Sequence, residues 1–325
     1  MSGLNVAVIG VGHLGQHHAR WYKNIEGCTL VGVYDTNQDK CHEIAAKYNV
    51  TPFTSIDEVL DNAGAVSIVA PTIHHYEIAH QVINRGVHCL IEKPITATVE
   101  QAEALIKSAE KNNVVLTVGH IERFNPAVRA LRQFNINPRF IEAHRLAAFD
   151  PRGTDVAVIL DLMIHDIDLS LYLTGSRVQN IEASAVSVIS DTADIANARL
   201  TFENGAVANL TASRISLRAM RKLRLFQKSG YYSLDLAERR ADIYRLADDN
   251  NPTEAGMRIP LGKSGREIVY SKSGSQNDDM LCAELTSFIK AINDNTLPEV
   301  TGHQAKDALK TALEIESIGL RAVSV

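Results

Sequence analysis

The stretch "NVAVIGVGHLGQHHARWYKN", residues 5–24, constrains the fold more than any other part of the chain. A β-branched run passes at once into a glycine-rich turn and then into a polar-apolar segment without proline, which reads as strand, tight turn and helix. Gly10, Gly12 and Gly15 spell G-x-G-x-x-G at that turn. Glycine suits such a turn because the backbone must bend sharply and approach a pyrophosphate at a helix N-terminus. The motif alone is a weak signal, and its setting gives it weight. The next strand, "CTLVGVYD", ends at Asp35, twenty residues beyond Gly15. A carboxylate there can bind both ribose hydroxyls of NAD and would repel the 2′-phosphate of NADP. The expected cofactor is therefore NAD, with Gly10, Gly12, His13, Leu14, Gly15 and Asp35 as its first set of contacts. The competing reading is a generic turn in which Asp35-Thr36-Asn37 caps the following helix.

The alternation continues through "NQDKCHEIAAKYNV" (helix), "AVSIVAP" (strand), "HHYEIAHQVINRG" (helix), "VHCLIEKP" (strand), "TVEQAEALIKSAEKNN" (helix) and "VVLTVGH" (strand). Parallel strands need crossover connections, so this spacing predicts a doubly wound parallel sheet with helices on both faces. Such a sheet binds its ligand beyond the carboxyl ends of the strands. Pro71 and Thr72 close one strand there, and Glu92, Lys93 and Pro94 close the next. An ammonium ending an interior strand must either escape to solvent or have a task. Pro94 lacks a backbone donor and stiffens the segment that aims Lys93. Pro71, Thr72, His75, Glu92 and Lys93 complete the expected cofactor contacts; His75 either lines the crevice or sits in a helix's first turn.

Beyond Asn125-Pro126 strands follow one another: "NIEASAVSVI", "ANARLTF", "AVANLTASRI", "KLRLFQ" and "YYSLDL", with Asn204-Gly205 and Lys228-Ser229-Gly230 as hairpin turns. The expectation is an α+β domain on a large, mostly antiparallel sheet. The domains divide as 1–122, dinucleotide-binding, and 123–325, substrate-binding and oligomerisation. Two late helices, "DDMLCAELTSFIKAIND" and "AKDALKTALEIESIG", carry apolar residues at helical spacing (281, 285, 288, 292) and read as core.

Glu92-Lys93-Pro94 some eighty residues after the glycine turn, followed by D-x-x-x-H at Asp161 to His165, resembles the glucose-fructose oxidoreductase and inositol dehydrogenase family of sugar oxidoreductases. The resemblance implies oxidation of a sugar hydroxyl to a ketone, with Lys93, His165 and Asp161 as catalytic residues. A histidine titrates in the right range to take the hydroxyl proton, and Asp161 or Asp168 could hold its ring. Lys93 would donate to the substrate oxygen, although in some relatives it is regarded as the acid-base group itself, and the sequence leaves that division open. On a regular helix Asp161, His165 and Asp168 would share a face. They could also ligate a metal, but three ligands on one helix rarely encircle an ion, and no metal is expected.

Arg123, Asn125, Arg152 and Arg214, with Lys93, Asp161 and His165, are the candidate substrate contacts; Arg145 is a further candidate anion fork, and surface salt bridges are the competing reading for any one arginine. Taken with "DLMIHDIDL", the segment "GHIERFNPA" is similar to the subgroup acting on UDP-linked N-acetylhexosamines. Two alternatives stand beside it: a dehydrogenase or reductase of a free polyol such as an inositol, and a non-catalytic cofactor-binding regulator. Retention of Lys93, Asp161 and His165 together argues against the regulator.

With 33 basic and 38 acidic residues, net charge -5, the chain lacks the electrostatic footprint of a nucleic-acid binder. It contains no apolar run near the ~20 residues of a membrane helix. Cysteines at 28, 41, 89 and 282 show no metal-like spacing and suit buried thiols in a reducing compartment. A cytoplasmic enzyme is expected, associating as a homo-oligomer through the second face of its open sheet, as relatives do.

Overall fold

The computed structural model describes residues 3–150, 156–247, 256–275 and 277–321. The chain forms two compact units, Met1–Ile121 with Asp279–Lys310, and Glu122–Asp278 with Thr311–Val325. The sequence predicts an unbroken second domain from residue 123; instead residues 279–310 return to the first unit.

The first unit runs β1 (Leu4–Ile9), α1 (Gly15–Tyr22), β2 (Cys28–Tyr34), α2 (Gln38–Tyr48), β3 (Thr51–Pro52), α3 (Ile56–Asn62), β4 (Ala65–Ile68), α4 (Thr72–Asn84), β5 (His88–Glu92), α5 (Val99–Asn112) and β6 (Leu116–Gly119). Its sheet has the order β3-β2-β1-β4-β5-β6 and every pair is parallel. The order reverses between β1 and β4, the switch point where such sheets open a crevice. Val6, Val8, Ile9, Val66, Ile68, Leu90 and Ile91 are buried, as strands covered on both faces require. The return of the late chain has a packing cause. Leu281, Leu285, Phe288 and Ile289 of α8 (Met280–Asn293) join Ala19, Tyr22 and Ile25 in one apolar cluster. The stripe read as core is thus core of the first unit. Burial pushes the thiols of Cys28 up to about 11 and of Cys89 up to about 12, so both stay protonated near neutrality.

The second unit contains α6 (Pro126–Arg129), β7 (Phe140–Leu146), a π-helical turn (Ile159–Met163) leading into α7 (Ile164–Thr174), then β8 (Val178–Val186), β9 (Ile195–Phe202), β10 (Val207–Ser213), β11 (Met220–Gln227), β12 (Gly230–Asp235), β13 (Arg240–Leu246), β14 (Met257–Pro260) and β15 (Glu267–Gly274). The last helix, α9 (Gly302–Arg321), runs from the first unit's residues into the second's. The nine-stranded sheet has the order β14-β15-β13-β12-β11-β7-β10-β9-β8. Every pair is antiparallel except β7 with β10. One face is apolar: Ile141, Ala143, Leu200, Leu210, Leu223, Leu225 and Ile243 are fully buried there. Helix α7 packs on that sheet at β7 and β10, and α6 lies against β12, β13 and β15.

The opposite face carries a row of rings directly opposite one another, Phe140, Phe226, Tyr231, Tyr244 and Tyr270, with successive centroids 5.6, 4.8, 5.6 and 4.9 Å apart. Beside it a polar hollow of about 560 Å³ is lined by Glu142, His144, Glu182, Asn197 and Arg199, among others. No helix among the described residues is long and apolar enough to cross a membrane.

Candidate dinucleotide site and candidate catalytic residues

The glycine turn is built for close approach. Gly10 sits at φ +87°, and a Cβ there would lie 2.5 Å from the Val69 carbonyl oxygen; a Cβ on Gly15 would lie 1.8 Å from that of Gly10. Those two glycines are needed by the fold itself. A Cβ on Gly12 would meet nothing within 4 Å, so the space it leaves is open and fits a group arriving from outside the chain. Helix α1 starts with no side-chain cap and no acidic residue in its first turn, which keeps its amide end suited to an anion. Asp35 accepts from Val11 N at 2.8 Å through Oδ2 and from Asn37 N at 2.9 Å through Oδ1. Asn37, not Asp35, caps α2. The carboxylate therefore ties the glycine turn to the end of β2, where a ribose would meet it. His13 and Leu14 are exposed on the turn, with the His13 ring edge-on to His17 at 5.6 Å. These residues fit a dinucleotide: open space at Gly12 and an uncapped helix end for its phosphates, Asp35 for a ribose.

At the next crevice positions Pro71 is the N-cap of α4 and Thr72 its first residue. His75 is only 1% exposed, and its two ring nitrogens lie 2.9 Å from Pro94 O and 2.7 Å from Ala70 O. Of the two expected placements the structure shows the second, His75 in the first turn of α4, with both nitrogens facing main-chain carbonyls. Burial holds the ring's pKa down, opposed by those carbonyls and by the charge of Glu92. Glu92 is also turned inward: Oε1 meets Nε2 of buried His18 at 3.1 Å, and Oε2 accepts from Lys93 N at 3.3 Å. Gly119 gives it room, since a Cβ there would come within 2.8 Å of the carboxylate. Lys93 is half-buried and joined to Pro94 by a cis peptide bond.

In the second unit Asp161 lies in the π-helical turn and His165 one residue into α7, both half-buried. The other expected residues have different employment. Arg123, expected to be free for an anion, is 2% exposed and donates through Nε and a terminal nitrogen to both oxygens of Asp168, at 2.8 and 2.6 Å. Its guanidinium also lies over the Tyr172 ring at 4.7 Å. Asp168, 1% exposed, is thus the buried ion-pair partner of Arg123. Arg145 forks onto Asp166 at 3.0 and 2.9 Å and reaches Glu122 at 2.8 Å, all three buried. Burial pushes Asp166 up against the pull of Arg145; burial also opposes the Arg145 charge, but Asp166 and Glu122 outweigh it and push that group up. Asn125 is fully buried, donating to Glu122 Oε2 and Leu236 O and accepting from Ala127 N, so it is a packing and capping residue, not a substrate contact. Arg214 is 5% exposed and donates to Val156 O. Arg152 lies outside the described residues. Among the described residues no group of three or more His, Cys, Asp or Glu side chains could hold a metal ion.

Sequence reasoning missed His18, Glu122 and Asp166. The first had a signal, lying three residues past Gly15 on the helix that flanks the crevice; the other two have partners too remote in sequence to be read.

A doubly wound parallel sheet with an open glycine turn, tied by Asp35 to the end of its second strand, is the fold of an NAD-binding oxidoreductase. Residues 4–120 match the model described as an oxidoreductase family with an NAD-binding Rossmann fold, and residues 99–233 match the GFO/IDH/MocA C-terminal domain. The chain belongs to the GFO/IDH/MocA oxidoreductase family. It is 40% identical over 319 residues, 97% of each chain, to UDP-N-acetylglucosamine 3-dehydrogenase of Acidithiobacillus ferrooxidans. The solved structure of an enzyme of that name from the same organism superposes with a TM-score of 0.87, at 39% identity and 98% coverage of both chains. Myo-inositol 2-dehydrogenase of Thermotoga maritima is 24% identical over 94% of this chain and 93% of its own.

Proposed function

We propose that this protein oxidises the 3-hydroxyl of UDP-N-acetylglucosamine to a ketone with NAD. The observation that carries this reading is the 40% identity, spanning 97% of both chains, to a 3-dehydrogenase of that nucleotide sugar. Lys93, His165 and Asp161 agree with it: each stands in the motif expected for the chemistry, and each keeps partial exposure where Asp166 and Asp168 do not.

NAD, when bound, supplies the hydride acceptor. Gly12 and the start of α1 would hold its phosphates and Asp35 its ribose. His165 takes the hydroxyl proton as base, with Asp161 as the carboxylate that steadies the imidazolium. Lys93 is the cation that can donate to a substrate oxygen and stabilise developing negative charge. A hydrogen-bonded cation is worth several kcal/mol at a developing alkoxide, on the order of 10²–10³ in rate. A homo-oligomer belongs to the same reading: the aromatic row on the outer sheet face offers an apolar strip for burial against a second copy.

The test is NADH formation, followed by absorbance, with purified protein, NAD and a panel of UDP-sugars and free polyols, with trapping of the keto product. Turnover of UDP-N-acetylglucosamine, lost in Lys93→Met and His165→Ala, is expected. Turnover of a free polyol alone would sink the substrate assignment, and unaltered activity in both variants would sink the catalytic one.

A further inference from the structure

Resting on the reading of Lys93 as the group that meets the substrate oxygen, we propose that His75 is a positioning residue for Lys93, tying the main chain beyond β5 to the main chain beyond β4. The two carbonyls it reaches belong to different crossings of the sheet. Ala70 lies between β4 and α4, and Pro94 directly follows Lys93. One ring thus spans the two segments that close the carboxyl edge beside the switch point.

The contacts are specific in chemistry. Carbonyl oxygens only accept, and burial favours the neutral ring with its single N–H, so the ring donates to one of the two carbonyls at a time while it stays lodged between both. A phenyl ring of similar size would fill the space and hold neither. The ring itself has a rigid base, because His75 shares α4 with Ala79, Val82 and Ile83, all fully buried.

The other side of Lys93 is held independently. Its backbone N donates to Glu92 Oε2, and Glu92 is held by His18 from α1, in the room that Gly119 of β6 leaves it. Lys93 therefore hangs from a main chain gripped before it by Glu92 and after it by His75. Its four-carbon stem leaves the ammonium many rotamers, so the position of its Cα is what the fold can fix. A displacement of about 1 Å in a catalytic group costs on the order of 10²-fold in rate.

The deciding measurement is steady-state kinetics and NAD titration on His75→Phe, His75→Gln and Lys93→Met, with thermal melts as a check of folding. His75→Phe is expected to lower kcat about ten- to a hundred-fold. Substrate KM and NAD affinity should stay within about three-fold, because the lost interaction belongs to the transition state. His75→Gln, which restores an N–H donor, should recover most of that loss. Should His75→Phe not fold, His75→Asn carries the same test, its shorter amide reaching one carbonyl at most. A folded variant with unchanged kcat would overturn the proposal. So would a loss confined to NAD affinity, which would return His75 to the cofactor-contact role. Full activity in Lys93→Met would instead remove the reading beneath it, so the two failures are told apart by different variants.

Discussion

Replacing Arg145 by methionine isolates the electrostatics that hold the His165 helix to the second unit. The guanidinium makes three hydrogen bonds, two to Asp166 on α7 and one to Glu122, and both carboxylate side chains are at most 4% exposed. Methionine fills much of the volume but leaves two buried carboxylates without their hydrogen-bonded cation, the charge of Arg221 being the remaining pull on Asp166. Breaking a buried pair in this way costs about 3–5 kcal/mol. At roughly 2–4 °C per kcal/mol for a unit of this size, the melting temperature should fall by about 6–20 °C. The loss should also depend on pH. Burial already raises Asp166 above its ordinary value, and removing Arg145 removes the main force pulling it back. A carboxyl whose folded pKa lies above its unfolded one lends stability fully below the unfolded value, and that stability disappears as pH rises through the folded value. Urea midpoints of variant and parent should therefore diverge more at about pH 8 than at about pH 5. Adding Glu122→Gln and Asp166→Asn to the variant should recover part of the loss. A penalty below about 1 kcal/mol, or one independent of pH, would refute the reasoning, since it would mean that water reaches the carboxylates.

Gly12→Val should leave the urea midpoint within about 0.5 kcal/mol of the parent while NAD affinity falls in a fluorescence titration, because its Cβ points into open space. Gly15→Ala should instead destabilise by about 1–3 kcal/mol, its Cβ arriving 1.8 Å from Gly10 O. Asp35→Ser should shift the ratio of NADP to NAD affinity upward by about ten-fold or more, a charged hydrogen bond being worth ~1.5–3 kcal/mol; an unchanged ratio would contradict the ribose assignment. Burial works against the Asp194 charge, but the backbone N–H groups of Val188, Ile189 and Ser190 hold its carboxyl well below the ordinary range. Its stabilisation is present above the unfolded pKa and is lost as pH falls, so Asp194→Asn should flatten the acid limb of a stability-against-pH curve.

The parallel sheet was readable because its central strands β1, β4 and β5 are largely buried and appear as short, mostly apolar runs between helices. β3 has two residues and α3 seven, too short to give a period. In the second unit β7 escapes notice for another reason. Its sequence, "FIEAHRL", alternates inward Ile141 and Ala143 with outward Glu142 and His144, and no hairpin partner adjoins it. It pairs with β10, some sixty residues on and parallel, and with β11. That pairing is set by the register of a whole sheet, which no local pattern reports.

The carboxylates of the His165 segment show the same limit at the scale of one helix. Spacings of four and three would line up Asp161, His165 and Asp168 on a regular helix, and any of the acids could then serve the histidine. The chain instead opens with a π-helical turn through Asp161 and becomes α-helical at Ile164, which changes the phase between the two parts. Residues 166–170 are then buried all round the helix, and burial of two acids there requires two cations. They come from Arg145, 21 residues before Asp166, and Arg123, 45 before Asp168. Those arginines engage Asp166 and Asp168, while Asp161 and His165 stay half-exposed. The motif fixes the spacing of the acids; the arginines that pair two of them lie too far off in sequence for any local pattern to report.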